Sequence, residues 1–334
     1  MSRNYWLNRE INRQIMKKTP ISEIDNKIIS LIEQDGRATY RDIAKLLGIS
    51  ERQAGMRLRN LIDDDVIGLI TVVDAFAIGF KYILALGVQV ADRPALEVAE
   101  LLAELPNVIA SAVMTGQYDI EIMIAVEDHA ELLSLVQREL ADIPGISSLH
   151  PSLFLDVVKY ETGAGPVPLQ PSKLTIPKCS SVDDVDATII EQLWKNASAT
   201  NEHIATELGV SESTVRKRMA RLRADGLIHI TAIRNVAIGK DVVFASIGIE
   251  LSTSQHRKVV EKLCSLRQVH FVAHVLGRYD IIAQVLAENT MEISDLVNNV
   301  IGRIPGVRSA NCALALEIVK YDHRWRILGP VTGR

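Results

Sequence analysis

Five cations crowd one short stretch, "ESTVRKRMARLRA": Arg216, Lys217, Arg218, Arg221 and Arg223. If Val215, Met219 and Leu222 face a core at helical spacing, the outward side carries these cations together with Ser213 and Thr214. Guanidinium groups bond guanine edges bidentately and hydroxyls bond phosphates, so the chemistry on offer is nucleic-acid recognition. Like charges three and four apart on a helix repel by a few tenths of a kcal/mol per pair, a cost that a polyanionic partner would offset. A second candidate is the loop "GQYDI" (Gly116 to Ile120), which returns as "GRYDI" (Gly277 to Ile281). Its Gly permits a tight turn and its Asp can bond turn amides, or the loop contacts a ligand. His270 and His274 are a third, but they have no carboxylate or thiol beside them in the sequence. A structural role or the polar lining of a pocket suits them better than a metal.

The elements that would hold the cations are short helices. In "VDATIIEQLWKNASATNEHIATELGVSESTVRKRMARLRADGLI", Ile189, Ile190, Leu193 and Trp194, then Ile204, Ala205 and Leu208, then Val215, Met219 and Leu222 recur at helical spacing. Gly209 can end the second helix in the left-handed conformation and Ser211 can cap the third, and a Gly-containing turn between two helices marks a helix-turn-helix. The earlier stretch "IDNKIISLIEQDGRATYRDIAKLLGISERQAGMRLRNLIDDDVI" keeps the pattern, with Ala54, Leu58 and Leu61 in the core and a Ser50/Gln53 capping box. Here Gly55 and Met56 replace Arg216 and Lys217, leaving Arg52, Gln53, Arg57 and Arg59 as contacts. A mid-helix Gly costs about 1 kcal/mol relative to Ala, so this outward face reads as degraded. The two reading helices are not expected to recognise the same sequence.

The correspondence is general. At the separation of the two G-x-Y-D loops, "IPGIS" (Ile143 to Ser147) answers to "IPGVR" (Ile304 to Arg308), "VVKYE" (Val157 to Glu161) to "IVKYD" (Ile318 to Asp322), and "LLGIS" (Leu46 to Ser50) to "ELGVS" (Glu207 to Ser211). The chain is a tandem duplication of a whole domain set. The register slips by one residue around "ITVVDAFAIG" and "ITAIRNVAIG", as expected of a connecting loop. Between the copies, "ETGAGPVPLQPSKLTIPKCSSV" is Pro- and Gly-rich and reads as a linker. After each helix-turn-helix the order of apolar runs and amphipathic helices is βαββαβ, the ferredoxin-like unit with both helices on one sheet face. Val113, Ile122, Ile124, Leu153 and Leu155, and in the second copy Val275, Ile282, Leu314 and Leu316, are expected on the other face, covered by the twin sheet.

The expected fold class is therefore α+β, with two copies of a winged or helix-turn-helix DNA-binding domain followed by a ferredoxin-like βαββαβ domain, the effector domain of the family resemblance described below. Residues 21–70 and 183–231 form the helix-turn-helix domains and 80–161 and 241–322 the effector domains. Residues 1–20 form a basic extension, 162–182 the linker and 323–334 a tail. The extension carries Arg3, Arg9, Arg13, Lys17 and Lys18 and reads as a solvated segment or a phosphate-contacting arm. The 334 residues are 48% hydrophobic and 23% charged, with a net charge of −4, which argues against non-specific nucleic-acid coating but allows a local basic surface. Cys179, Cys264 and Cys312 form no C-x-x-C pair, so neither a disulfide framework nor a zinc site is expected. No apolar run reaches membrane-spanning length and the N-terminus lacks a signal core, which gives an expectation of a cytoplasmic protein with no membrane partner.

These features resemble the leucine-responsive regulatory protein (Lrp/AsnC) family of transcription regulators, over nearly the whole chain and twice. The resemblance implies sheet-to-sheet pairing, larger rings, double-stranded DNA as partner, and an amino acid or related effector bound near the G-x-Y-D loop. The corresponding residues are Gly116, Gln117, Tyr118, Asp119, Gly277, Arg278, Tyr279 and Asp280. Family members have about half this length, so the chain reads as a one-chain pseudo-dimer that homo-oligomerises, needs no cofactor or metal, and is not an enzyme. Gly55, Met56 and "DDDVIG" (Asp63 to Gly68), where the second copy has "ADGLI", depart from the pattern in the first reading helix. Two alternatives remain open: an enzyme like the sirohaem decarboxylases, which also resemble paired Lrp/AsnC subunits, and a sensing module that no longer binds DNA.

Overall fold

The computed structural model describes residues 21–64, 66–76, 79–160, 182–234, 243–252, 255–322 and 325–326. The basic extension and almost all of the linker lie outside the described residues. The first copy begins with α1 (Glu23–Gln34), α2 (Tyr40–Leu47) and α3 (Glu51–Asp63). Ser22 with Asp25, and Ser50 with Gln53, form capping boxes on α1 and α3, and Gly48 ends α2 at φ +68°. The second copy repeats this with α6 (Asp184–Lys195), α7 (Asn201–Leu208) and α8 (Glu212–Ala224). Here Asp183 and Asp186 make the box and Gly209 the left-handed cap. Each trio closes over its own apolar stripe, Ile28, Ile32, Ile43 and Leu58 in one and Ile189, Leu193, Val215 and Leu222 in the other.

The stretches expected to be connecting loops are strands. β1 (Ile67–Asp74) and β6 (Ile228–Arg234) pair antiparallel from Ile67↔Arg234 to Val73↔Ile228, and β11 (Trp325–Arg326) adds a parallel pair to β1. The one-residue slip lies between α3 and β1, so the ribbon keeps its register. The ribbon joins the copies crosswise. The Thr231 hydroxyl donates to Glu33 O (2.7 Å) beneath α1, and the Thr71 hydroxyl to Leu193 O (3.2 Å) beneath α6. Each helix-turn-helix thus rests on the strand of the other copy.

The effector domains comprise β2 (Tyr82–Val90), α4 (Ala95–Ala103), β3 (Val108–Met114), β4 (Ile120–Val126), α5 (His129–Ser134) and β5 (Ile146–Tyr160), then β7 (Val243–Leu251), α9 (His256–Ser265), β8 (Val269–Leu276), β9 (Ile281–Ala287), α10 (Thr290–Asp295) and β10 (Val307–Tyr321). The strand orders β3-β4-β2-β5 and β8-β9-β7-β10 are the ferredoxin-like order twice, and the two sheets close into one eight-stranded barrel. The two 15-residue strands close it. β5 pairs with β2 up to Leu153 and with β8 from there to Tyr160, and β10 pairs with β7 up to Leu314 and with β3 beyond. The repeated "VKY" therefore lies against the other copy. Lys159 Nζ donates to Cys264 O (3.0 Å) and Leu266 O (3.3 Å) at the C-terminus of α9. Buried Lys320 Nζ donates to Ala103 O (2.8 Å) at the C-terminus of α4. A cation at a helix C-terminus satisfies end carbonyls and opposes the helix dipole, so each copy caps a helix of its twin.

The expected sheet faces need correction. Val113, Ile122, Ile124 and Leu153 pack in the core under α4 and α5, Leu314 packs on the corresponding core of the second copy, and Leu155 and Leu316 are exposed. Only Val275 and Ile282 face the twin sheet. Side chains alternate faces, and β4 (IEIMIAV) is apolar at both parities: Ile122 and Ile124 turn to the helices while Met123 turns to the twin sheet, whereas Leu155 and Leu316 lie at the bulges Phe154/Asp156 and Ala315/Glu317. Phe154 and Phe271, one from each copy with ring centroids 5.6 Å apart, pack between the sheets with Val275 and Ile282.

Candidate DNA interface and axial cavity

On α8, Ser211 Oγ caps the helix by accepting from Thr214 N and sits 2.9 Å from both Ser213 Oγ and Thr214 Oγ1. Arg216 and Lys217 are exposed on the next turn, where Arg216 bonds Glu212 one turn back (2.6 Å). The other three cations have partners within the chain. Arg218 pairs with Asp183 (2.6 Å) and Asp186 (3.0 Å) at the start of α6, Arg221 pairs with Asp186, and Arg223 reaches Asp35 after α1 (2.9 Å). Arg218 holds the Asp183 carboxyl down at about 2. The repulsion expected along this helix is therefore relieved by the chain's own carboxylates, with no need of a polyanion. Arg57 repeats the arrangement, bonding Asp25 at 2.8 Å.

On α3, Gln53 Oε1 accepts from Ser50 N (3.1 Å), which leaves Arg52 and Arg59 as its exposed cations. Gly55 is buried rather than part of a degraded face: an added Cβ would stand 3.2 Å from the ring of Tyr40, which lies across it. Met56 is exposed, at 49%.

The two G-x-Y-D loops meet at the pseudo-two-fold axis of the barrel. Each lies on the last strand of the other copy, Gly116 against Cys312 and Gly277 against Pro151 and Ser152. The rings of Tyr118 and Tyr279 lie so close over Gly87 and Gly248 that a Cβ at either would overlap the ring. Asp119 and Asp280 are committed to the scaffold: their Oδ2 atoms accept from Val90 N (2.8 Å) and Leu251 N (2.6 Å). Arg278 lies 5.6 Å over the Tyr279 ring. Between the loops is a cavity of about 150 Å³, lined from the loops by Gly116, Gln117, Tyr118 and Tyr279 and from the strands by Glu121, His150, Ser246 and Asn311. Tyr279 Oη donates to Gln117 Oε1 (3.2 Å) across the axis. Burial pushes the Glu121 carboxyl up, opposed by a hydrogen bond with Ser246, and burial likewise raises both tyrosines.

The AsnC-type helix-turn-helix domain matches residues 21–62 and 182–223, and the Lrp/AsnC ligand binding domain matches 85–164 and 243–325. The chain belongs to the Lrp/AsnC family. This Lrp/AsnC chain is 32% identical over 146 residues to the HTH-type transcriptional regulator FL11 of Pyrococcus horikoshii, covering 96% of that protein and 43% of this one. It is also 32% identical over 141 residues to the regulator LrpA of the same organism, covering 99% of that protein and 42% of this one. One copy is thus the length of a whole relative. The tandem arrangement as a whole is similar to the siroheme decarboxylase NirDL, with a TM-score of 0.65 at 16% identity over 92% of this chain and 94% of that one, a likeness of fold.

Neither histidine singled out from the sequence lines the axial cavity. His274 stacks on His256 of α9 (ring centroids 5.9 Å) and burial pushes its imidazole down, while His270 borders a narrow crevice with Tyr160 and Phe244. Among the described residues no cluster of three His, Cys, Asp or Glu is placed to hold a metal, and no helix is long and apolar enough to cross a membrane. Glu121, His150, Ser246 and Asn311 were missed as site residues. The signal that finds them is mismatch at equivalent repeat positions, where Glu121 stands against Ile282, His150 against Asn311 and Ala85 against Ser246.

Proposed function

We propose that the chain is a sequence-specific DNA-binding transcription regulator built as a one-chain pseudo-dimer, whose two unlike helix-turn-helix units read two unlike half-sites. The observation that carries this is the division of labour on α8. Asp183, Asp186 and Asp35 hold Arg218, Arg221 and Arg223, while Ser213, Arg216 and Lys217 stand exposed at the N-terminal end, the part of a recognition helix that meets base edges. In this reading Arg216 and Lys217 make the principal contacts, Arg218, Arg221 and Arg57 position the helices, and Arg52 and Arg59 give α3 a weaker phosphate-contacting role. A small molecule bound between the effector domains acts by favouring one arrangement of the interlocked copies.

The volume of the axial cavity supports a regulator over a decarboxylase. A space of about 150 Å³ is on the scale that accommodates benzene, and no Lys or Arg lines it. A carboxylate-rimmed tetrapyrrole matches neither its size nor its charge. The test is fluorescence anisotropy on DNA from the chain's own upstream region, titrated over salt. A specific complex whose log K falls linearly with log salt, and which R216A/K217A weakens at least about tenfold, supports the reading. Absence of a specific complex at any salt refutes it.

A further inference from the structure

The cavity on the pseudo-two-fold axis is not itself two-fold symmetric. Glu121 of β4 supplies a partly buried carboxylate, and its repeat equivalent, Ile282, supplies none. The Glu121 carboxyl hydrogen-bonds Ser246, contributed by the other copy. Tyr118 and Tyr279 present rings to the same space, and Tyr118 packs against His150 at 5.0 Å between centroids. No Lys or Arg is among the lining residues. One carboxylate and two aromatic rings with no Lys or Arg in the lining attract positive charge, because a carboxylate bonds an ammonium directly and ring faces attract cations; Arg278, outside the lining, already lies 5.6 Å over the Tyr279 ring. It offers a ligand carboxylate hydroxyl and amide donors but no Lys or Arg. Gln89 Oε1 accepts from Ser148 Oγ (2.6 Å), and His150 Nε2 lies 3.0 Å from the same hydroxyl, so the His150 ring is held in place at the cavity wall.

We propose that this cavity is an effector site for a small aliphatic primary amine, one molecule per chain, with its ammonium on Glu121 between the rings of Tyr118 and Tyr279. The proposal rests on the effector-regulated reading above and narrows it. A volume of about 150 Å³ suits a ligand of roughly benzene size. A free amine satisfies the lining more fully than an amino acid, whose carboxylate would be buried without a cation. The duplication makes such a site possible: in a dimer of identical subunits a residue at this position appears twice, and two carboxylates would face each other across the axis.

The test uses the full chain without DNA, titrated calorimetrically with n-butylamine, with butyrate as the isosteric anion and E121Q and E121I as variants. Expected are one equivalent of butylamine per chain, no butyrate binding, an affinity at least about tenfold weaker in E121Q, the scale of one charge-assisted hydrogen bond, and no binding in E121I. Because E121I installs the residue of the second copy, it is expected to melt no lower than the parent, which separates loss of the site from loss of the fold. Butyrate binding as well as butylamine, two equivalents per chain, unchanged affinity in E121Q, or no butylamine binding at all would each overturn the proposal. DNA binding measured separately tells the two readings apart. A chain that binds its upstream DNA but not butylamine loses only this inference, and one that binds butylamine but no DNA loses the regulator instead.

Discussion

Replacing Lys320 by Met should loosen the joint between the two copies. Lys320 is 3% exposed and its Nζ donates to Ala103 O at 2.8 Å, at the end of α4 in the other copy. A hydrogen bond to a charged group contributes about 1.5–3 kcal/mol, and a partly buried cation at a helix C-terminus up to about 2 kcal/mol. Against these stands the desolvation of the ammonium, which Met avoids. The net expectation is a loss of about 2 kcal/mol, a fall in melting temperature of about 4–8 °C at roughly 2–4 °C per kcal/mol for domains near this size. Lys159 is the internal control. It is partly buried and its two bonds are longer, at 3.0 and 3.3 Å, so K159M should cost about half as much. Calorimetric melting gives the magnitudes. Amide exchange gives the location, with K320M lowering protection at the C-terminal turn of α4, a helix more than 200 residues away in sequence. A K320M protein that melts at or above the parent temperature, with α4 protection unchanged, would refute cross-copy capping as a source of stability.

Burial raises the Glu121 carboxyl above its ordinary value, so its contribution is most favourable below the unfolded-state titration and is lost as pH rises through the folded one. E121I should therefore gain on the parent as pH increases from 4 to 7, by about 1–3 kcal/mol for removal of a poorly solvated polar group, read as a widening gap in melting temperature. Asp183 behaves oppositely. Arg218 lowers its carboxyl to about 2, so its contribution is fully present above pH 4 and lost between pH 4 and 2, and melting curves for D183N over that window should fall less steeply than the parent's. In G248A the new Cβ overlaps the Tyr279 ring and should displace it, losing the bond to Gln117. Tyrosine fluorescence and NMR would detect the change, and an unperturbed ring would contradict the close packing.

The helix-turn-helix units were legible because their signals are local. Ser50 with Gln53, Gly209 and the apolar spacing of Val215, Met219 and Leu222 act within a few residues, and the structure has the corresponding caps and core. The non-local pairings were not legible. β1 and β6 read as connections because their partners are about 160 residues away, and Arg218 read as a DNA contact because Asp186 reaches it only after the trio closes. Gly55 read as decay for the same reason, since Tyr40 covers it in space. The face of β4 was not legible because IEIMIAV is apolar at both parities, and Leu155 and Leu316 sit at bulges that no periodicity reveals. Of the G-x-Y-D residues, Gly116, Gln117, Tyr118 and Tyr279 line the cavity, while Asp119 and Asp280 are held by backbone amides. Their polar partners across the cavity were hidden because they differ between the copies.

Footprinting tests directly the proposal that the two unlike helix-turn-helix units read two unlike half-sites. On the upstream DNA, the parent protein should protect two half-sites of unlike sequence. R216A/K217A should lose protection at one of them, and R52A/R59A should weaken only the other. Protection of two identical half-sites, or a footprint that R216A/K217A leaves unchanged, would contradict the account.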